Sequence, residues 1–189
     1  MKLIDAQRNK AWQLIVDALK SGDSTGALFT LKRLAANGDT SSYAAIGYFY
    51  EFDKNRSFND ALYWYRKSVV EADDEIAHAG LARLYFNGCG VAKDYVKAAY
   101  HCKKASADPL MWILLGVMYH KGFGTEQDLV KAEMYYKKAA QEGYLLPLQY
   151  LGQLEIEKGR YLRGIWLRIK GISINPLEFW SSKAAPETL

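Results

Sequence analysis

Apolar and polar residues alternate along this chain with the period of an α-helix rather than that of a strand. Leu, Tyr, Trp and Ala recur at positions i, i+3 and i+4, which places them on one face of a helix. Each run of this kind gives way to glycine or to a short polar stretch. The pattern predicts short helices that are joined by turns into antiparallel pairs.

Two segments of the chain are copies of one another. They read YFNGCGVAKDYVKAAYHCKKAS (85–106) and YHKGFGTEQDLVKAEMYYKKAA (119–140). Five matching pairs keep an offset of 34 residues: Tyr85/Tyr119, Gly88/Gly122, Asp94/Asp128, Ala98/Ala132 and Ala105/Ala139. A fixed period of this length indicates a repeat array, in which each helical pair buries its apolar face by stacking on the next.

The turn inside each copy carries the signals of a helix end and a helix start. Gly88 and Gly122 begin a Gly-x-Gly turn, and glycine tolerates the positive φ that the end of a helix requires. Asp94 and Asp128 follow, and a carboxylate at this place accepts hydrogen bonds from the exposed N–H groups of the next helix. We therefore expect second helices to begin directly after these aspartates.

Weaker copies extend the array at both ends. We predict five hairpins, at about 5–38, 40–73, 75–108, 110–143 and 145–175. The turn of the second hairpin is two residues shorter than that of the third, and the fifth turns at Gly159. The predicted fold class is therefore all-α: an α-solenoid of about five antiparallel helical hairpins in one domain over 1–182, with a short frayed tail at 183–189.

Four short motifs follow one another between 115 and 143: Leu-Gly-x-x-Tyr, Gly-x-Gly, Asp-x-x-Lys-Ala and Ala-Ala-x-x-Gly. Together they resemble the Sel-1-like repeat (SLR), a subfamily of the tetratricopeptide (TPR) class. The fifth hairpin looks more like a plain TPR but departs from it at Glu155, Gly164 and Arg168, where that family usually has Tyr, Ala and Tyr. The resemblance implies a right-handed superhelix that binds other proteins, as bacterial adaptors, envelope or secretion regulators and toxin immunity proteins do.

Composition and charge narrow the classes of function. The 189 residues are 50% hydrophobic and carry a formal net charge of +4, which is a mild excess. Nucleic-acid-binding proteins usually show a denser basic stripe, so no nucleic-acid partner is expected. Residues 1–20 lack the apolar core of a signal peptide, and no run is apolar for long enough to span a membrane. We therefore expect a cytoplasmic protein.

The residue types that could carry chemistry occur singly in this sequence. The cysteines and histidines are Cys89, Cys102, His78, His101 and His120. They show neither the paired spacing of a metal site nor a nucleophile–base motif, so we expect no catalytic residue, no metal and no cofactor. An enzyme that uses these cysteines or histidines is the less favoured alternative.

The first helix of each hairpin supplies the candidate binding residues. In TPR-like arrays this helix lines the concave side, and its outward positions lie at fixed offsets from a buried Leu or Ile. Those offsets select the following partner-binding candidates: Trp12, Tyr48, Glu51, Arg83, Phe86, Val117, His120, Gln153 and Ile156. Trp, Tyr and Arg are enriched at binding hot spots. The alternative is that some of these side chains pack against the neighbouring first helix.

The C-terminal end is denser in large apolar residues than the end of a repeat array should be. Trp166 and Trp180 stand there among arginines and complete the set of candidate binding residues. The tail after Pro176 could fold back on the last hairpin, the end could be a docking or dimer surface, or it could be a basic amphipathic membrane contact. Oligomeric state is left open by this pattern.

The sequence thus favours a non-catalytic protein–protein interaction module. Its partner would bind through the concave groove, the apolar C-terminal end, or both. A general adaptor and an immunity protein that neutralises a cognate bacterial toxin by tight binding both fit a small repeat protein of this kind.

Overall fold

The structure is a computed structural model, and it describes residues 10–15, 17 and 24–172. Within these residues all regular secondary structure is helical, which confirms the predicted all-α class. Residues 10–15 belong to the first helix, α1. The later helices are α2 Ser24–Ala36, α3 Ser41–Phe52, α4 Phe58–Ala72, α5 Glu75–Asn87, α6 Tyr95–Lys104, α7 Pro109–Lys121, α8 Leu129–Gln141, α9 Leu146–Glu157 and α10 Tyr161–Ile172.

The chain divides into two compact units between Ala107 and Asp108. Unit 1 contains α1 to α6, and the pairs α3/α4 and α5/α6 form hairpins that pack through α4 and α5. Unit 2 contains the hairpins α7/α8 and α9/α10, which pack through α8 and α9. Each of these hairpins lies where the sequence placed one, whereas a single domain over 1–182 stays a prediction.

The hairpin turns have the lengths that the sequence indicated. Five residues (53–57) join α3 to α4, whereas seven (88–94) join α5 to α6. Gly88 ends α5 at a φ of 74° and Gly122 ends α7 at 73°, the left-handed conformation that glycine adopts most easily. Asp94 accepts a hydrogen bond from the Lys97 N–H and so caps α6.

The apolar interior of the first hairpin continues into the second. Ile15 of α1 and Leu31 of α2 are fully buried in one cluster with Ile46 of α3. Trp12 and Tyr48 pack at the edge of this cluster. The first helical pair therefore shares a core with its neighbour, as stacking repeats require.

A tyrosine ring packed against glycine joins the two helices of a hairpin in both units. The Tyr65 ring of α4 is fully buried, and a Cβ atom on Gly47 or on Gly80 would lie 2.6 or 2.3 Å from its nearest atom. In unit 2 a Cβ atom on Gly116 would lie 2.4 Å from the equally buried ring of Tyr136. The helices approach closely because glycine leaves room for the ring.

Replacement of Gly116 by Ala tests this packing. The added methyl group has to displace the Tyr136 ring, so we expect Gly116→Ala to lower the free energy of unfolding by about 1–3 kcal/mol. Urea unfolding followed by circular dichroism measures the change. In a Tyr136→Leu background, which lacks the ring, the same replacement should cost much less, and an equal cost in both backgrounds would contradict the packing argument.

Candidate protein-binding site

Three aromatic side chains form a row on the first helices of unit 1, and we refer to Trp12, Tyr48 and Phe52 as the aromatic row. The rings of Trp12 and Tyr48 meet edge to face with centroids 5.1 Å apart, and the Tyr48 and Phe52 centroids are 4.4 Å apart. Phe52 is 43% exposed, whereas the other two rings are half-buried. The row thus combines a packed base with an accessible ring at one end.

Arg83 of α5 extends this row. Its guanidinium lies 5.4 Å from the centre of the Phe52 ring, which is within the range of a cation–π contact. The Nε and NH2 groups of Arg83 donate to the two carboxylate oxygens of Glu51 at 2.8 and 2.7 Å. A bidentate pair of this kind fixes the plane of the guanidinium, so Arg83 is held beside Phe52 before any partner arrives.

Glu51 corrects the prediction that its side chain faces outward. It is only 7% exposed, because its carboxylate accepts a hydrogen bond from the Tyr65 hydroxyl at 2.7 Å as well as those from Arg83. Burial, and then the nearby charge of Glu51, raise the pKa of Tyr65, so the phenol stays a proton donor to the carboxylate. Glu51 therefore acts inside unit 1 as the link between α3, α4 and α5.

His120 of unit 2 occupies the repeat position of Glu51 and is also buried, at 3% exposed. Its Nε2 lies 2.8 Å from a carboxylate oxygen of Glu157, and its Nδ1 lies 3.4 Å from the Tyr136 hydroxyl. The hydrogen bond with His120 lowers the pKa of Glu157. The prediction of an outward-facing His120 is thus also wrong, since the ring joins α7, α8 and α9 internally.

The remaining candidates are half-buried or lie outside the described residues. Phe86 packs on Tyr95 with ring centroids 5.3 Å apart. The half-buried candidates of unit 2 are Val117, Gln153, Ile156 and Trp166, and Trp180 lies outside the described residues. The described candidates are thus mainly apolar or amide side chains, which are suited to contact with a protein surface.

Comparison with known protein families identifies the family of this chain. The model of the Sel1 repeat matches residues 40–69, 76–108 and 113–144, which together make up half of the chain. The chain belongs to the Sel1 repeat family. Sel1 repeat proteins are generally protein-interaction modules, and the family is typically non-catalytic. No curated protein matches the chain.

Two solved structures show the same Sel1 repeat architecture. A Sel1 repeat protein from Oxalobacter formigenes superimposes with a TM-score of 0.67 at 22% identity, over 89% of this chain and 71% of that protein. A protective antigen present in uropathogenic Escherichia coli strains, which displays an SLR fold, gives a TM-score of 0.64 at 29% identity. That match covers 76% of this chain and 32% of the antigen, so this chain spans about a third of the antigen's length. The α-solenoid class is thereby confirmed.

The histidines of the third hairpin are paired, which corrects the expectation that they are isolated. His78 is fully buried; its Nε2 lies 2.8 Å from the Asp73 carboxylate and its Nδ1 lies 2.8 Å from Nδ1 of His101. The two facing nitrogens share one hydrogen, so one ring donates and the other accepts. Burial, then the nearby His78 and Arg66, lower the pKa of His101 to about 4.

The two cysteines of the chain lie in the same hairpin as this pair. Cys102 is buried and Cys89 is half-buried. Among the described residues no group of three or more His, Cys, Asp or Glu side chains is placed to hold a metal ion. In the same part of the chain, none of the helices is long and apolar enough to cross a membrane.

Sequence reasoning missed Phe52, which is the most exposed ring of the aromatic row. The signal was present, because Phe52 follows Tyr48 by four residues and therefore lies on the same helix face. The selected offsets stopped one residue earlier, at Glu51. The Arg83–Glu51 contact shows that the alternative of packing between neighbouring first helices applies here.

The buried ion pair generates a stability prediction. Arg83→Met removes both donors and leaves the Glu51 carboxylate buried with one hydrogen bond, so we expect a loss of about 3 kcal/mol in the free energy of unfolding. Glu51→Gln should cost less, because the amide oxygen still accepts from Tyr65 or Arg83. Urea unfolding compares the two variants, and an Arg83→Met protein of wild-type stability would contradict the arrangement.

The histidine pair generates a pH prediction. The folded protein binds a proton at His101 only near pH 4, whereas an ordinary histidine does so near 6.5. The unfolded chain therefore takes up the proton first, and stability falls as the pH drops from about 6.5 towards 4. Urea unfolding over this range should show a shallower fall for His101→Gln, whose amide N–H still donates to His78. An unchanged slope would show that His101 is not the group that titrates.

Proposed function

We propose that this protein is a non-catalytic interaction module that binds a protein partner through the aromatic row and Arg83 of unit 1. The observation that carries the proposal is the accessible Phe52 ring, which stands beside a fixed guanidinium on a base of packed aromatic rings. Aromatic and arginine side chains provide most of the binding energy at protein interfaces. The known behaviour of Sel1 repeat proteins supports the same class of function.

The geometry favours a partner that presents an apolar side chain. Glu51 neutralises Arg83 within unit 1, so the guanidinium offers its flat face rather than a net charge. Because Arg83 and Tyr48 are already held by their neighbours, little side-chain entropy is lost when the partner binds. An apolar anchor that packs against Phe52 and the flat face of the Arg83 guanidinium would use both features.

Within this proposal the module acts in a bacterial cytoplasm, either as a general adaptor or as an immunity protein that neutralises a cognate toxin. Both roles use the same surface and need no turnover. They differ in the partner, since an immunity protein holds one toxin very tightly and abolishes its activity. Identification of the partner therefore decides between the two roles.

The test is affinity purification from the native host with the tagged full-length protein. A stoichiometric partner should bind the wild type and should be reduced at least ~10-fold by Phe52→Ser, because hot-spot truncations cost about 2 kcal/mol or more. Isothermal titration with the purified partner then gives the affinities of the two forms. Arg83 is left unchanged in this experiment because its replacement also disturbs Glu51.

A matched control lies on the second helix of the same hairpin. Tyr63 of α4 is exposed and aromatic but lies outside the aromatic row, so Tyr63→Ser should leave the partner bound. Retention of the partner by Phe52→Ser, or its loss from both variants, would contradict binding through the aromatic row. A toxin that is inhibited by the wild type and spared by Phe52→Ser would establish the immunity role.

A further inference from the structure

Helix α10 packs on α9 through two glycines and through Leu167, which joins the apolar cluster of Tyr136 and Leu151. A Cβ atom on Gly164 would lie 2.5 Å from Cγ1 of Ile156 and 2.7 Å from the Gly152 carbonyl oxygen. One on Gly171 would lie 3.0 Å from the Leu145 carbonyl oxygen. These glycines lie seven residues apart on one edge of α10, so that edge is the one that faces α9.

Three other large apolar residues of α10 lie outside the glycine edge. Leu162, Ile165 and Ile169, which we refer to as the α10 stripe, are 64%, 50% and 42% exposed. Their spacing of i, i+3 and i+7 makes them one continuous strip along the helix. An amphipathic helix of a globular protein normally turns such a strip towards the core. Here the three side chains of the strip stay exposed, so they are available to another apolar environment.

Positive charge borders the α10 stripe. Arg163, Arg168 and Lys170 are exposed, and the helix contains no aspartate or glutamate. Trp166 also borders the stripe, and the Lys170 ammonium lies 5.0 Å from the centre of its ring. The carboxylate of Glu155 is bonded to Arg160 and lies 3.6 Å from Arg163, whereas no carboxylate of the described residues pairs with Arg168 or Lys170.

We propose that the α10 stripe docks α10 in the plane of a lipid bilayer with anionic headgroups. Apolar side chains on one helix face, flanked by Arg, Lys and Trp, form the pattern by which a helix lies at a membrane interface. At 12 residues the helix is too short to span the bilayer, so the contact is peripheral. A second copy of this chain is disfavoured as the occupant, because a symmetric α10–α10 contact would bring two sets of cations together. This inference is independent of the partner-binding face of unit 1.

The test is co-sedimentation of the full-length protein with lipid vesicles. Vesicles of equimolar phosphatidylcholine and phosphatidylglycerol should bind it, those of phosphatidylcholine alone should bind it weakly, and added salt should release it. The variant Leu162→Ser/Ile165→Ser/Ile169→Ser should bind at least ~10-fold more weakly, since it removes the side chains that enter the bilayer. Arg168→Gln/Lys170→Gln should weaken binding to the anionic vesicles while it keeps the apolar stripe, and it remains informative if the triple variant fails to fold.

The control is Tyr63→Ser/Val70→Ser, which removes two exposed apolar side chains from α4, a helix that also carries Asp60 and Glu71. It should bind vesicles as the wild type does, and all variants are checked by circular dichroism. Equal binding by the wild type and both α10 variants would overturn the proposal, as would a wild type that ignores anionic vesicles. If the wild type does not bind anionic vesicles, light scattering shows what covers the α10 stripe instead. A dimer that is lost in the triple variant would identify a second copy of this chain, and a monomer would point to the chain's own residues 173–189.

Discussion

The fit of a tyrosine ring between glycines is the contact on which the interior of these hairpins depends. Tyr65 and Tyr136 fill the space left by the missing Cβ atoms of Gly47 and Gly116. A buried phenol also brings a hydroxyl group that needs a polar partner. That partner comes from the first helix, as Glu51 in one hairpin and His120 in the other. One steric fit therefore dictates a buried polar residue one helix away.

The third and fifth hairpins lack this tyrosine, and they also lack the polar residue on the first helix. In the third hairpin the tyrosine position holds Cys102, which has no hydroxyl, and the position of Glu51 holds the apolar Phe86. In the fifth the two positions hold Arg168 and Ile156. A polar first-helix residue thus accompanies tyrosine and is absent where tyrosine is absent. Repeats within one chain exchange the two positions together because neither a lone hydroxyl nor a lone carboxylate is tolerated in the interior.

The sequence predicted the hairpins well because their signals are local. Glycine ends α5 and α7, aspartate begins α6 and α8, and each needs only its immediate neighbours to act. The residues of the candidate site were harder to predict from local signals. Offsets along a helix give the direction of a side chain but do not show whether a neighbouring helix covers it, so they predict that Glu51 and His120 face outward.

Pairing of side chains from different helices was beyond a single sequence. His78 and His101 lie 23 residues apart, and nothing in their spacing indicates that Nδ1 faces Nδ1 at 2.8 Å. The orientation of α10 is a similar case, because the apolar period of a helix does not show which face its neighbour covers. Only the contacts of Gly164 and Gly171 show that the glycine edge is the packed one.

The fifth hairpin departs from the repeat where its packing changes. Gly164 and Arg168 replace the alanine and tyrosine of the second and fourth hairpins, and Gly164 lies directly against Gly152 of α9. With glycine on both sides the helices meet without a ring between them, and Leu167 is the large apolar residue of α10 that packs on the cluster of Leu151. The side chains of the α10 stripe are left exposed. They are free to serve another surface, and their exposure next to arginine and lysine indicates an environment that is both apolar and negatively charged. A bilayer with anionic headgroups meets both conditions along the length of one helix.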